Sequence, residues 1–154
     1  MKIKISRIGP ERKELIFRYV SLLLNELEGD ESEFEGIDSA KIYREMEVLG
    51  DRFSALMATS GSGKVVGMMT VMESFAIYAG GKYGIIDEMY VAPNSRSQGI
   101  SQKLITALIE YAGQRKWQRI DVTAPPEEKW KRTIAFYERE GFVFTGPKLR
   151  LKLL

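Results

Sequence analysis

Two glycine-rich turns constrain the fold of this chain more than any other feature of its sequence. They are Ser60-Gly61-Ser62-Gly63 and Ala79-Gly80-Gly81-Lys82, and each lies between two apolar segments, as hairpin turns do. The pattern predicts strands over Phe53–Thr59, over 64–77 and over Tyr83–Val91. Two hairpins in succession bring these three strands together in an antiparallel meander.

Before the meander, the sequence predicts one strand and two helices. Residues 2–6 alternate in polarity, as in a half-buried strand. Apolar residues at three-and-four spacing from Leu15 onward predict a helix that ends near Leu27. Asp38 or Ser39 is placed to cap a second helix.

After the meander, helices and strands alternate. We predict a helix over Ser97–Gly113, a strand over Arg119–Thr123, a helix over Glu128–Glu140 capped by Gly141, and strands over Phe142–Thr145 and Leu149–Leu153. The order β-α-α-β-β-β-α-β-α-β-β predicts an α/β chain of the α+β type, in which a mixed sheet carries helices on its faces. At 154 residues, the chain is predicted to form a single domain over 1–154.

The chain contains neither cysteine nor histidine, which excludes several kinds of chemistry. Disulfides, thiolate zinc sites, cysteine nucleophiles and Ser-His-Asp triads are ruled out, and no metal is expected. A general base must therefore be Asp, Glu, Lys, Tyr or a water molecule that these residues hold. No apolar run approaches the roughly 18 residues of a membrane span, and no signal-peptide pattern is found, so we expect a cytoplasmic protein.

Charge is unevenly distributed, although the net charge of +2 is too small to indicate nucleic-acid binding. From residue 25 to residue 40 there are seven acidic residues and no basic one: Glu26, Glu28, Asp30, Glu31, Glu33, Glu35 and Asp38. The C-terminal quarter is rich in lysine and arginine. Both regions can be ordinary solvated surfaces. Alternatively, the basic region faces an anionic cofactor.

The segment from Val91 to Ser101 has the pattern of an anion-binding site. A predicted strand ends at Pro93, and a short polar loop containing Gly99 opens directly into an amphipathic helix. The first amides of a helix lack internal partners and carry partial positive charge, glycine permits close approach to the backbone, and Arg96 adds a cation. The segment is either such a site, which a pyrophosphate would fit, or an ordinary strand-to-helix turn.

Two motifs resemble those of the GNAT family of N-acetyltransferases. Arg96-Ser97-Gln98-Gly99-Ile100-Ser101 is similar to the family's pyrophosphate loop, Arg/Gln-x-x-Gly-x-Gly/Ala, with Ser101 in the place of Gly or Ala. Ile134-Ala135-Phe136-Tyr137-Glu138-Arg139-Glu140-Gly141-Phe142 is similar to the family's C-terminal helix-turn-strand. Trp130 stands where many members carry an asparagine that helps to hold the cofactor.

The resemblance implies an enzyme that transfers the acetyl group of acetyl-CoA directly to a primary amine within a ternary complex. It implies cofactor contacts from three groups of residues: the loop residues Arg96, Ser97, Gln98, Gly99, Ile100 and Ser101, the backbone amides of Met89, Tyr90 and Val91, and the side chains of Trp130 and Tyr137.

The resemblance also implies two catalytic groups. Tyr137 is implied as the donor to the departing thiolate, and a carboxylate on the strand before the loop as the base. Glu88 is favoured over Asp87. Met89 and Val91 are predicted to face the helix side of the sheet, which places Glu88 on the opposite side of the strand. Asp87 and Glu88 face opposite sides unless a bulge intervenes, and Glu73 on the neighbouring strand is a weaker candidate.

Three interpretations of the function stay open. The acceptor is a small-molecule amine, and we hypothesise that the acidic run attracts a cationic one; or it is a protein or peptide; or the chain is a non-catalytic module that binds acyl-CoA. Neither a nucleic acid nor a membrane is expected as a partner, and a homodimer is expected only by analogy with the family.

Overall fold

The computed structural model describes residues 2–28, 37–123, 131–146 and 148–153. Within these residues, five strands form one sheet in the order β1-β2-β3-β4-β5. The strands are β1 (Ile3–Ile8), β2 (Phe53–Ser60), β3 (Val65–Ala76), β4 (Gly81–Val91) and β5 (Ile120–Val122). Strands β1 to β4 pair antiparallel in chain order, so the predicted meander is confirmed.

The segment that leads into β5 runs parallel to β4. The amide of Gln118 donates to the carbonyl of Lys82, and the amide of Gly84 donates to the carbonyl of Arg119. Both segments therefore advance in the same direction, as a helical crossover connection requires. The sheet is mixed, as predicted.

The described residues contain the α-helices α1 (Lys13–Glu28), α2 (Ser39–Leu49), α3 (Ile100–Arg115) and α4 (Lys131–Arg139). Asp38 caps α2, because its Oδ1 accepts hydrogen bonds from the amides of Ala40 at 3.0 Å and Lys41 at 3.3 Å. Helix α3 ends where Lys116 adopts a left-handed conformation with φ of 62°.

The sheet carries α1 and α2 on one face and α3 on the other. Six buried residues join α1 and α2 to the strands: Ile8, Ile16, Met46, Ala55, Met57 and Met68. On the opposite face, a Cβ atom placed on Gly67 would lie 3.0 Å from Cγ2 of Ile100 in α3. Since neighbouring residues of a strand face opposite sides, Gly67 and Met68 identify the two layers.

By its contacts the chain divides into two compact units, residues 1–121 and 122–154. In the second unit, α4 ends in a glycine cap in which Gly141 has φ of 101°. The amide of Gly141 donates to the carbonyl of Glu138 at 3.1 Å, and that of Phe142 to the carbonyl of Tyr137 at 3.0 Å. The rings of Tyr137 and Phe142 are in contact, with centroids 5.3 Å apart. These features make a Schellman motif and confirm the predicted cap.

The strands predicted over Phe142–Thr145 and Leu149–Leu153 are wrong, since neither 142–146 nor 148–153 contains a strand. A strand requires a neighbour for its backbone hydrogen bonds, and no strand of the described sheet pairs with either segment. Their apolar side chains are exposed, with 81% of Val143 and 84% of Leu151 open to solvent. Alternating polarity indicated β structure here, but it does not provide a partner.

Trp117, which follows α3, closes one end of the layer between α3 and the sheet. Its indole N–H donates to Oε1 of Glu73 at 2.7 Å, and its ring meets that of Tyr111 edge-on at 5.5 Å. A Cβ atom on Gly84 of β4 would overlap the six-membered ring of Trp117. Gly84 is therefore the close-approach point that allows the indole to lie against the strand.

We expect Gly84→Ala to lower the free energy of unfolding by roughly 1–3 kcal/mol, because the added methyl group displaces an indole that a hydrogen bond holds in place. Urea denaturation followed by tryptophan fluorescence measures the change. Gly61→Ala is the matched control, since no atom lies within 4 Å of a Cβ at that turn position. Equal stability of the two variants would contradict this account of Gly84.

Candidate active site

A β-bulge interrupts β4 at Asp87. Thr70 of β3 pairs with Glu88 and Val71 pairs with Ile86, so Asp87 is an extra residue on β4. The bulge reverses the alternation of β4. Ile86, opposite Val71, faces the α3 layer, whereas Glu88, opposite Thr70, faces the side of α1 and α2.

The bulge places Glu88 in a partly buried position beside Thr70. The Thr70 hydroxyl donates a hydrogen bond to Oε1 of Glu88. Burial raises the pKa of the Glu88 carboxyl above its ordinary value, the Thr70 hydrogen bond opposes this effect, and the nearby charge of Asp87 adds to it. A carboxyl group whose pKa is raised in this way is suited to accept a proton near neutral pH.

Tyr90 continues the same face of β4 toward the end of the strand. It is buried, and its ring lies 6.2 Å from that of Tyr19 in α1, centroid to centroid. Helix α1 therefore covers the face on which Glu88 lies, as α1 packs against β4. This side of the strand combines a carboxylate with aromatic rings.

The backbone of β4 directs two amides away from β3 after the bulge. The amide of Ala92 donates to the carbonyl of Val66 at 2.9 Å. In an antiparallel ladder every second residue points to the same neighbour, so the Tyr90 amide also points to β3, and those of Met89 and Val91 point away from it. Of the three backbone amides predicted to contact a cofactor, that of Tyr90 is therefore directed into the pairing with β3. Those of Met89 and Val91 are directed away from β3.

The loop after β4 adopts a left-handed conformation before α3 begins. Ser97 has φ of 65° and Gly99 has φ of 74°, so the helix begins at Ile100 and not at the predicted Ser97. The space beside Gly99 is open, with no atom within 4 Å of a Cβ placed there. Because glycine has no side chain, position 99 cannot cap the first turn of α3, and the loop forms an open cradle at the start of the helix.

Arg96 is engaged with α1. Its Nη2 lies 2.6 Å from the carboxylate oxygens of Glu26, and its Nε donates to the carbonyl of Val91 at 3.0 Å. The hydrogen bond with Glu26 raises the pKa of the Arg96 guanidinium. The sequence predicts that Arg96 binds a pyrophosphate. In the structure, the guanidinium of Arg96 binds the carboxylate of Glu26 instead.

The other loop residues predicted to contact a cofactor differ in their exposure to solvent. Ser97 and Gln98 are exposed, and the Gln98 amide group donates to the carbonyl of Asn94 at 3.5 Å. Ile100 is buried against Gly67, so only its backbone is available to a ligand. Ser101 lies in the first turn of α3 and is partly buried. Trp130 lies outside the described residues.

Tyr137 is buried in the second unit, between two aromatic rings. Its ring lies 5.2 Å from that of Phe136 and 5.3 Å from that of Phe142, both nearly edge-on. Burial raises the pKa of Tyr137 to about 12. Its hydroxyl therefore stays protonated at neutral pH and can donate a hydrogen bond.

A family model described as the acetyltransferase (GNAT) family matches residues 21–142, most of the chain. The chain belongs to the GNAT family of acetyltransferases. The match includes β4, the loop from Arg96 to Ser101 and the helix that carries Tyr137. Membership supports an acyltransferase activity, and GNAT proteins use acetyl-CoA as their co-substrate. No curated protein matches the chain.

Solved GNAT structures share this fold. An aminoglycoside acetyltransferase from an uncultured soil metagenomic sample is 23% identical over 100% of both chains, with a TM-score of 0.80. A second one from such a sample, in complex with sisomicin, is 18% identical over 99% of this chain and 95% of that chain, with a TM-score of 0.77. A ribosomal-protein-alanine N-acetyltransferase from Brucella melitensis biovar Abortus 2308 is 17% identical over 99% of this chain and 100% of that chain, with a TM-score of 0.72. At these identities the likeness shows the fold alone.

Glu73, the weaker candidate for a GNAT base, has a structural role. Both its oxygens accept from Arg115 at 2.8 Å, and Oε1 also accepts from the indole N–H of Trp117 at 2.7 Å. Burial raises the pKa of Glu73, but the hydrogen bonds from Arg115 and Trp117 outweigh this effect and hold it below its ordinary value. Glu73 contacts α3, on the opposite face of the sheet from Glu88.

Two residues near this GNAT site were not found by sequence reasoning. The position of Thr70 could have been noticed from the sequence, because it is a polar residue within the apolar run 65–72. Nothing in the sequence distinguishes Glu26, since it is one of seven acidic residues in its segment and lies 70 residues from Arg96. Within the described ranges, no group of acidic residues could hold a metal ion, and no helix is long and apolar enough to span a membrane.

We expect Glu73→Gln to lower the free energy of unfolding at neutral pH by roughly 1–3 kcal/mol, because charge-assisted hydrogen bonds from Arg115 and Trp117 are weakened. The folded-state pKa of Glu73 is depressed, so its contribution is present above the ordinary value of 4.5 and is lost as pH falls through the depressed value.

Urea denaturation over a pH series measures this dependence, with the exposed Glu14→Gln as the control. The difference between wild type and Glu73→Gln should shrink below pH 4.5. A difference that is constant across the series would show that the charge of Glu73 has no part in it.

Proposed function

We propose that this protein is an N-acetyltransferase that moves the acetyl group of acetyl-CoA to a primary amine of a cationic small molecule, by direct transfer in a ternary complex. One observation carries the proposal. Strand β4 presents the Glu88 carboxylate on one face and the amides of Met89 and Val91 along one edge, and it leads directly to the open start of α3 at Gly99. A base, hydrogen-bond donors and an anion cradle thus follow one another along a single segment.

The cradle at Gly99 fits the pyrophosphate of acetyl-CoA. The space beside Gly99 is open, and the amides of Ile100 and Ser101 lie at the positive end of the α3 dipole. Arg96 supplies a cation once it leaves Glu26. When bound, acetyl-CoA supplies an activated acetyl thioester and an anionic pyrophosphate.

The residues of the chain would supply proton transfer and hydrogen bonds. Glu88 accepts a proton from the ammonium group of the acceptor at a carboxylate oxygen, which leaves the amine neutral and nucleophilic. The amides of Met89 and Val91 donate hydrogen bonds to the carbonyl oxygen that gains charge. The C–N bond forms as the C–S bond breaks, and the Tyr137 hydroxyl donates a proton to the sulfur that leaves, the role implied by the family resemblance. The second proton that the amine loses on becoming an amide returns the Tyr137 hydroxyl to its neutral form. The absence of cysteine from the chain is in keeping with direct transfer.

A cationic small-molecule acceptor is supported by the aminoglycoside acetyltransferases among the neighbours in fold. The acidic run adds little support from its described residues. Glu26 pairs with Arg96 and Asp38 caps α2, and residues 29–36 lie outside the description. A protein acceptor is the second candidate, because a ribosomal-protein-alanine N-acetyltransferase is also a neighbour.

The single domain over 1–154 and the homodimer stay predictions.

Calorimetric titration with acetyl-CoA tests the cofactor site. We expect binding in the micromolar range for the wild type. Binding should be at least about tenfold weaker for Gly99→Glu, because a carboxylate then fills the cradle and a non-glycine residue is strained at φ of 74°. The double variant Arg96→Ala, Gly99→Glu should bind more weakly still. Gly61→Glu adds the same charge at an exposed turn and is the matched control. Absence of binding to the wild type would overturn the proposed function.

The same titration uses Glu26→Gln as a variant with the opposite expected effect. Releasing Arg96 from an exposed ion pair should strengthen acetyl-CoA binding by a factor of about two to five. Glu14→Gln, at an exposed position of α1, is the control. Weaker binding of Glu26→Gln would show that the ion pair supports the loop in its binding form.

Kinetics with a panel of amines test the chemistry and the acceptor. The panel contains cationic small molecules, neutral amines and peptides with free N-termini. We expect Glu88→Gln and Tyr137→Phe each to lower kcat by roughly 10²- to 10⁴-fold with little change in affinity for acetyl-CoA. For the wild type, kcat/KM should rise as pH passes through the raised pKa of Glu88, above its ordinary 4.5. Tight cofactor binding without turnover of any amine would favour the non-catalytic module, and peptide turnover alone would favour the protein acceptor.

A further inference from the structure

We propose that Thr70 is a positioning residue for the reaction, whose hydroxyl fixes Oε1 of Glu88 next to the bulge and keeps that carboxylate ready to accept a proton. The proposal rests on the proposed function, in which Glu88 is the base. Thr70 lies opposite Glu88 in the ladder between β3 and β4, at the last paired position before the register shifts. Its hydroxyl donates to Oε1 of Glu88.

The burial of Thr70 requires its hydroxyl to have a hydrogen-bond partner. Thr70 is 1% exposed, and its neighbours on the same face of β3 are Met68 and Met72. A buried hydroxyl without a partner costs free energy, so at this position a threonine needs an acceptor. Glu88 provides it. Since a β-branched side chain has few accessible rotamers, the hydroxyl direction is well defined, and the carboxylate it holds is oriented in turn.

Among the described residues of β3 and β4, few other side chains can stabilise the ionised Glu88. On β3, the residues of the same face from Met68 to Ser74 carry no charge. On β4, Asp87 bears a like charge, which raises the pKa of Glu88 further, and Tyr90 offers a hydroxyl. Loss of the Thr70 hydroxyl should leave the effect of burial unopposed, so that the carboxyl group binds its proton more tightly.

The titratable groups of α1 on this side lie toward the end of the strand. Tyr19 contacts Tyr90, and the guanidinium of Arg18 lies 5.7 Å from the centre of the Tyr19 ring. Glu26 pairs with Arg96. None of these residues is a hydrogen-bond partner of Glu88 among the contacts of the described chain, whereas Thr70 is. The effect of Thr70 should therefore be separable from theirs.

The decisive measurement is an NMR titration of side-chain carboxyl carbons in protein labelled with ¹³C-glutamate. The Glu88 resonance is identified by its absence from Glu88→Gln. We expect Thr70→Val, which keeps the shape of threonine without its hydroxyl, to raise the Glu88 titration midpoint by roughly one pH unit. Thr70→Ser should restore the wild-type midpoint. Thr59→Val removes another strand hydroxyl, one that donates to the carbonyl of Lys4, and should leave the midpoint unchanged.

The pH profile of kcat/KM separates this proposal from the proposed function. The acidic limb should move upward in Thr70→Val by the same amount as the NMR midpoint, with the KM for acetyl-CoA unchanged. An unmoved midpoint in Thr70→Val would overturn the role of Thr70. If Thr70→Val does not fold, Thr70→Ala gives the same comparison with a smaller side chain. A midpoint that moves while Glu88→Gln keeps full activity would support the contact but remove Glu88 as the base.

Discussion

The extra residue at Asp87 is the constraint on which the arrangement of this molecule depends. A regular strand would place Ile86 and Glu88 on the same face, because they are two residues apart. One of the two layers would then receive the wrong side chain, either a carboxylate among the apolar residues under α3 or an isoleucine beside Thr70. An unpaired carboxylate in an apolar layer costs several kcal/mol. The bulge lets one strand line the α3 core up to Ile86 and present a polar group toward α1 directly afterwards.

The features that were predictable from the sequence are local ones. The glycine-rich turns marked the meander, Asp38 marked the start of α2, and Gly141 marked the end of α4, because each acts within a few residues of its own position. The loop from Arg96 to Ser101 was recognisable for the same reason. These signals were sufficient for the fold class and for the family.

The features that were missed depend on residues far apart in the chain. Thr70 and Glu88 are brought together by strand register, and Arg96 and Glu26 by the packing of α1 on β4. Neither spacing has a periodic signature. The two C-terminal strands failed for a related reason: alternating polarity describes one strand by itself, whereas a strand forms only when another edge accepts its hydrogen bonds.

Ile100 has a consequence for the energetics of any anion at the start of α3. It is the first residue of the helix, it is buried, and it packs against Gly67 of the central strand β3. The helix start is thereby packed on the central strand of the sheet before a ligand arrives. An anion bound there need not order the backbone amides that receive it, so little conformational entropy is lost on binding. Because Gly67 has no side chain, Ile100 can pack closely on β3. This contact holds the start of α3 in place and so preorganises the candidate anion site there.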